Sequence, residues 1–186
     1  MNPALDEDVV QRVNDLGTTS WSGVTHRFTS KGRDPRSGAG ARLNGGRWNP
    51  RGAFAAIYLA QPLRACLAEL DRQSRITNLP VTARVAQGVE LHTLAVVEVR
   101  MLDLRADEAL SQVGLTTADI SDDDQIACQA VGHAAYFLEY GGVLAPSATG
   151  IGLVATVFES RLGPGDLNVQ DSHLLTETEY RRVMTT

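Results

Sequence analysis

Apolar residues recur with helical spacing at Leu5, Val9, Val10, Val13 and Leu16, which predicts an amphipathic helix over Ala4–Leu16. After Gly17-Thr18-Thr19 the period shortens to two. Val24, His26 and Phe28 alternate with Thr25 and Arg27, so a short strand is expected over Gly23–Phe28 with Arg27 on its other face. Phe54, Ala56 and Tyr58 alternate with Ala55, Ile57 and Leu59 in a second strand, one buried on both faces. Pro62 suits the first turn of a helix, where its missing N–H is not needed, and Leu63, Cys66, Leu67 and Leu70 form the apolar stripe of that helix. At about 100° per residue, Glu69 falls roughly 110° from the centre of the stripe. It lies on the edge, where a carboxylate can face a cleft while its helix packs.

The second half continues the alternation of elements. Leu91–Leu104 is rich in β-branched residues and reads as one long strand. Asp103, Asp107, Glu108 and the acidic residues from Asp119 to Asp124 surround short helical turns. Asp122, Asp123 and Asp124 suit the N-terminus of an apolar helix running from Ile126 to Leu138, with Gly141-Gly142 as its cap. Val143–Ala145 is a strand ending at a Pro146-Ser147 corner, and Gly152–Phe158 is another. The remainder, from Gly163 to Thr186, reads as irregular with a final helix. Strands separated by helices of unequal length predict an α+β fold: a split, mostly antiparallel sheet with surrounding helices and a central cleft. At 186 residues, a single domain over 1–186 is expected.

Charge changes this picture. The chain carries a net −5, which disfavours a general nucleic-acid binder. Between Thr29 and Ala53, however, stand Lys31, Arg33, Arg36, Arg42, Arg47 and Arg51 against the single acid Asp34. That segment is therefore +5, leaving −10 for the rest, and it holds six of the seventeen glycines. A glycine- and arginine-rich island in an acidic protein points to a small phosphorylated ligand. Its length exceeds that of an ordinary connection, and Trp48 within it needs something to pack on. The island runs through Gly45-Gly46-Arg47-Trp48-Asn49, whose amides suit an anion, into the strand carrying Tyr58 and the helix carrying Glu69.

Other classes are excluded or set aside. Apolar runs fall short of the ~20 residues that span a bilayer, and the acidic N-terminus does not read as a secretory signal. Cys66 and Cys128 sit in apolar helical patterns and read as buried free thiols of a cytoplasmic protein. No Cys/His spacing suggests a metal site. The aspartates at 122–124 read as a solvated cap. Residue by residue, an arginine on a strand is ordinarily a solvated residue, His26 a packed or surface one, Tyr58 as readily a core filler as a ligand contact, and Glu69 the partner of Arg72 in an exposed ion pair.

Taken together, Arg27, Gly46-Arg47-Trp48-Asn49, Tyr58, Glu69 and Pro146-Ser147 resemble the motifs of the RES-domain family, named for an arginine, a glutamate and a serine matched here by Arg27, Glu69 and Ser147. The resemblance covers roughly Gly23 to Val169. It implies the toxin of a RES–Xre toxin–antitoxin pair, with a fold similar to ADP-ribosyltransferases and an activity that degrades NAD+, phosphate or water being the acceptor. On that resemblance Glu69 stabilises the charge that builds on the ribose. Arg27 and Arg47 hold phosphates, Arg27 counting with Glu69 as catalytic. Gly46, Trp48, Asn49 and Tyr58 bind the dinucleotide, with Tyr58 near the nicotinamide, and the Ser147 hydroxyl binds its ribose or amide. NAD+ is then substrate, and no cofactor is expected. The implied partner is an Xre-type antitoxin that blocks the cleft, in a higher-order assembly without membrane or direct nucleic-acid contact. Two other functions fit the residues: an ADP-ribosyltransferase that modifies a protein or phosphorylated metabolite, and a non-catalytic nucleotide-binding module.

Overall fold

A computed structural model describes residues 5–185 and has a mixed α+β architecture built on one six-stranded sheet. Ala4, the expected start of the first helix, and Thr186, the end of the last segment, lie outside the described residues. Helix α1 (Glu7–Leu16) is capped by the Asp6 carboxylate, which accepts from the amides of Asp8 and Val9. It buries Val9 and Val13. Strand β1 (Thr19–Ser30) is twice the expected length. Its apolar face is not the expected one: Val24 is 46% exposed, whereas Thr25 is fully buried and donates to the Leu94 carbonyl. Pairing along the whole of β3 decides the orientation there, and a buried hydroxyl with a partner costs little.

The basic island is not a structureless loop. It contains helix α2 (Ala39–Asn44) and a tight turn closed by an isolated bridge between Gly46 and Asn49. Strand β2 (Ala56–Gln61) follows, then helix α3 (Leu63–Ile76), helix α4 (Val81–Gly88) and the long strand β3 (Val89–Asp103). Two short helices, α5 (Asp107–Gln112) and α6 (Thr117–Ser121), lead to α7 (Ile126–Phe137). That helix ends before the glycine pair assigned to its cap. Gly142 instead begins β4 (Gly142–Pro146), and a Cβ there would lie 2.1 Å from the Thr156 carbonyl oxygen. Glycine is required by strand-to-strand proximity, not by helix termination. After β5 (Leu153–Phe158) comes an unexpected strand, β6 (Leu167–Leu174), and the closing helix α8 (Glu177–Thr185).

The sheet closes on itself. Strands β1-β2-β5-β4-β3 form a ring, because β1 also pairs with β3, and β6 extends it on the N-terminal half of β3. All pairings are antiparallel except β3 with β4, which are parallel over Met101–Asp103. The ring has one wide and one narrow join on β1. With β3 it pairs from Thr19↔Met101 to Ser30↔Val89; with β2 it pairs only at His26↔Ala60. The strands part beyond that single pair.

Side chains fill the ring. A buried cluster drawn from strands alone, including Ile57, Leu94, Met101, Leu144 and Val157, occupies the interior as in other small closed sheets. A second cluster joins α1, α5 and α7 to Trp48, Phe54 and Phe158. A third seats α3 between the sheet and α8 through Leu67, Leu70 and Leu91, with Tyr180 and Val183 of α8 packed against them. The carboxylate-bearing helix is therefore packed on both sides and rigidly placed.

Candidate active site

A cavity of about 420 Å³ opens where β1 and β2 part company. Its walls come from His26, Arg27 and Phe28 of β1, from the 44–48 turn, from Tyr58 to Ala60 of β2, and from Cys66, Glu69, Arg72 and Gln73 of α3. Gly40 and Ala41 of α2, with Gln125, Pro146, Ala148 and Val154, complete it. The segments singled out in the sequence thus meet around one space. Of its charged walls, Arg27, Arg47 and Arg72 outnumber Glu69, so the cleft carries a positive field into which Glu69 projects.

Glu69 is half-buried and oriented. The Ser147 hydroxyl donates to its Oε1 at 2.9 Å, and Ser147 is itself held by Thr149, whose amide donates to Ser147 Oγ at 3.2 Å. Ser147 is 3% exposed and is not part of the cavity wall. The Pro146-Ser147 corner thereby fixes the rotamer of the carboxylate from behind. Thr149 Oγ1 lies 2.8 Å from the same oxygen, so the hydroxyls form a short chain ending on Glu69.

The arginines are engaged with main chain. Arg27 donates through Nη1 to the Pro35 carbonyl and through Nη2 to the Ser37 carbonyl at 3.0 Å, fastening the loop before α2. Burial draws its pKa down, although Asp34 and Glu159 oppose this. Arg47, 8% exposed, donates to the carbonyls of Asp119 at 3.0 Å and Asp122 at 2.8 Å, pinning the acidic loop before α7. Both therefore shape the cleft by bracing its walls.

The Gly-Arg-Trp-Asn turn is an interlocked unit. Tyr58 donates its hydroxyl to Asn49 Oδ1 at 2.7 Å and accepts from the Trp48 amide at 2.9 Å. Asn49 Nδ2 donates to the Ala41 carbonyl, tying the turn to α2. Gly46 makes room for that hydroxyl, since a Cβ there would stand 2.4 Å from it. Burial raises the Tyr58 pKa far above its ordinary value, so the phenol stays neutral and presents its ring to the cavity. The amides expected to serve a ligand are occupied: Gly45 N–H donates to Ala41 O and Gly46 N–H to Asn49 O. Trp48 is buried at 2% exposure, and α7 packs against its backbone at Gly132.

Among the wall residues not expected from sequence, three carry titratable groups. His26 reaches Thr93 Oγ1 at 3.3 Å, and burial lowers its pKa. Cys66, one turn before Glu69, has its thiol pushed up to about 12 by burial and by the nearby Glu69 charge, which makes it inert. Arg72 pairs not with Glu69 but with Asp123, 2.8 Å away on the acidic loop. Its position three residues past Glu69 on one helix face was the available signal. Cys66 and Cys128 are free thiols, and no metal-binding cluster exists among the described residues.

Residues 21–163 match the sequence pattern of the RES domain. The chain belongs to the RES-domain family. Within that family, it is 44% identical over 186 residues to the NAD(+) phosphorylase MbcT of Mycobacterium bovis and to that of Mycobacterium tuberculosis, with the full length of both sequences covered. Its structure superposes on the M. tuberculosis MbcT–MbcA toxin–antitoxin complex with a TM-score of 0.92. That superposition covers 98% of this RES chain and all of the solved chain, at 44% sequence identity. No helix among the described residues is long and apolar enough to cross a membrane.

Proposed function

We propose that this protein is the toxin of a toxin–antitoxin pair and depletes NAD+ by cleaving the nicotinamide–ribose bond, with inorganic phosphate as the acceptor. The observation that carries the reading is Glu69, held from behind by Ser147, in a cleft walled by three arginines. Full-length likeness to an NAD(+) phosphorylase names the reaction class. The whole chain acts as one RES domain, in the cytoplasm, with NAD+ as substrate and no cofactor. The narrow β1–β2 seam supports reading the ring as two halves, β6-β3-β1 and β2-β5-β4, parted by a cleft in the manner of the split sheet of ADP-ribosyltransferases.

The chemistry follows from charge. As the C–N bond breaks, its electron pair stays on the nicotinamide nitrogen, which becomes neutral, and positive charge moves to the ribose C1 and ring oxygen. A phosphate oxygen then donates a pair to C1, giving an ADP-ribosyl phosphate. A fixed carboxylate in a cleft shielded from bulk water stabilises the oxocarbenium-like state more than the ground state. Glu69 is that carboxylate, and the Ser147 hydroxyl holds it in place before charge develops. Arg27 and Arg47 bind phosphates in this reading, in the positive field their bracing role already creates. Gly46, Trp48 and Tyr58 form the wall against which the nicotinamide lies, while Asn49, fully buried behind them and outside the wall, acts on it only by holding the Tyr58 hydroxyl. Restraint comes from a cognate antitoxin occupying the cleft.

Purified protein incubated with NAD+ and no other macromolecule tests this reading. Free nicotinamide, released faster with phosphate than without and accompanied by a phosphorylated ADP-ribose, is the expected result. Release independent of phosphate would make water the acceptor. Nicotinamide release that starts only when a second protein is added, with label on that protein, would favour ADP-ribosyl transfer, and binding without turnover would leave a nucleotide-binding module.

A further inference from the structure

The cleft's third arginine differs from the other two in what holds it. Arg27 and Arg47 each place both terminal nitrogens on backbone carbonyls. Arg72 has one hydrogen-bond partner among the described residues, the carboxylate of Asp123, through Nη2 at 2.8 Å. The Asp123 side chain is 89% exposed, while that of Arg72 is 23% exposed and faces the cavity. An ion pair with so solvated a carboxylate is weak, and a phosphate oxygen entering the cleft, where water screens the guanidinium less, competes with it favourably.

The surrounding loop is built so that this exchange needs no backbone movement. Arg47 pins the carbonyls of Asp119 and Asp122. Asp122 accepts from the Asp124 amide, and Asp124 from the Ile126 amide, so both flanking aspartates serve the local backbone. Asp123 alone of the three reaches across to α3, and rotating its side chain into solvent frees the guanidinium. Arg72 lies one turn beyond Glu69, which places the two on one helix face ~5–6 Å apart at Cβ.

We propose that Arg72 is the exchangeable phosphate-binding residue of this cleft and that the Asp123 carboxylate stands in for the substrate's phosphate group when the site is empty. This rests on the phosphorolysis reading for its substrate, and it deepens that reading by assigning the group that receives phosphate beside Glu69. The phosphate is either the inorganic co-substrate or the pyrophosphate of NAD+; both offer the same anionic oxygens to the guanidinium.

Steady-state NAD+ consumption by the full-length protein distinguishes them, with phosphate varied at saturating NAD+ and NAD+ varied at saturating phosphate. Arg72→Ala raises one of the two KM values at least ~10-fold, the size of one lost charge-assisted hydrogen bond, with a smaller change in kcat. Arg72→Lys recovers part of it. Asp123→Asn moves the same KM the opposite way, down about 3-fold, because the competing charge is gone. A shift in the phosphate KM identifies the co-substrate; a shift in the NAD+ KM identifies the pyrophosphate. If Arg72→Ala leaves both KM values unchanged, or Asp123→Asn raises the affected one, the proposal is overturned. Calorimetric binding of ADP-ribose and of inorganic phosphate to the same variants needs no turnover. Arg72-dependent binding in a protein that consumes no NAD+ would sink the catalytic reading and leave this subsite standing.

Discussion

Glu69→Gln keeps the volume of the side chain and an oxygen to accept from Ser147, but removes the charge that the developing cation requires. Turnover of NAD+ should fall ~10²–10³-fold, the range for removing one preorganised electrostatic group, with thermal unfolding unchanged. Near-normal turnover would show that Glu69 is not the charge stabiliser. Ser147→Ala makes a sharper distinction. If Ser147 acts through Glu69, as the 2.9 Å hydrogen bond indicates, kcat drops by about 10-fold while the KM for NAD+ holds. A rise in KM alone would place the hydroxyl on the substrate instead. That Glu69 faces a cleft was legible from its place at the edge of an apolar stripe, a property of one helix. Arg72 was not legible as a bridge, because helical spacing suggests a partner three residues away and the actual one is 51 residues on in sequence. The Gly45 and Gly46 amides illustrate the same limit: glycine permits a close approach, but only the fold shows that main-chain carbonyls take both donors.

At the scale of elements, α7 meets the Trp48 turn backbone to backbone. A Cβ at Gly132 would lie 1.9 Å from the Trp48 carbonyl oxygen. Alanine is the better helix former by about 1 kcal/mol, yet the clash with main chain that cannot rotate away outweighs this. Gly132→Ala should lower stability by about 1–3 kcal/mol, seen as a lower urea midpoint with an unchanged slope. A more stable variant would show that the turn yields. A second contact joins β6 to α8: His173 lies 2.9 Å from Asp171 and 3.1 Å from Glu179. Hydrogen bonds to both carboxylates raise its pKa above the ordinary 6.5. A raised folded-state value means that the stabilisation is full below 6.5 and is lost as pH climbs through that higher value. The gap in melting temperature between wild type and His173→Gln should therefore be widest near about pH 5.5 and close near about pH 8.5. A gap that widens with pH would contradict the ion-pair account. With the His173 side chain 43% exposed, the effect is screened and small. Neither β6 nor this contact was legible in the chain. After Leu167 every residue of β6 is exposed, so no alternation marks it as a strand, whereas α1, α3, α7 and β3 bury enough apolar surface to write their period into the sequence.

For the whole molecule, closure of the ring depends on one residue pair between β1 and β2 and three between β3 and β4, too little patterning to register in composition. The cleft itself was legible, because the +5 island and the carboxylate helix flank the same strand. Its surface also describes its partner. Arg27, Arg47 and Arg72 give the interior a positive field, while the rim carries apolar side chains beside wall residues: Leu43, 66% exposed, next to Asn44, and Ile126, 73% exposed, next to Gln125. An acidic or carboxylate-ended chain terminus flanked by apolar residues matches both features, the charge entering the cleft and the apolar groups covering the rim. The antitoxin should therefore restrain NAD+ loss by inserting a terminal segment, with its folded body docked elsewhere on the toxin. Removing a few terminal residues should restore NAD+ consumption while the two proteins still co-elute. Arg72→Ala should weaken inhibition by the intact antitoxin in parallel with its effect on phosphate. Full inhibition by the truncated antitoxin would rule out insertion and make bulk docking over the mouth the mode of restraint.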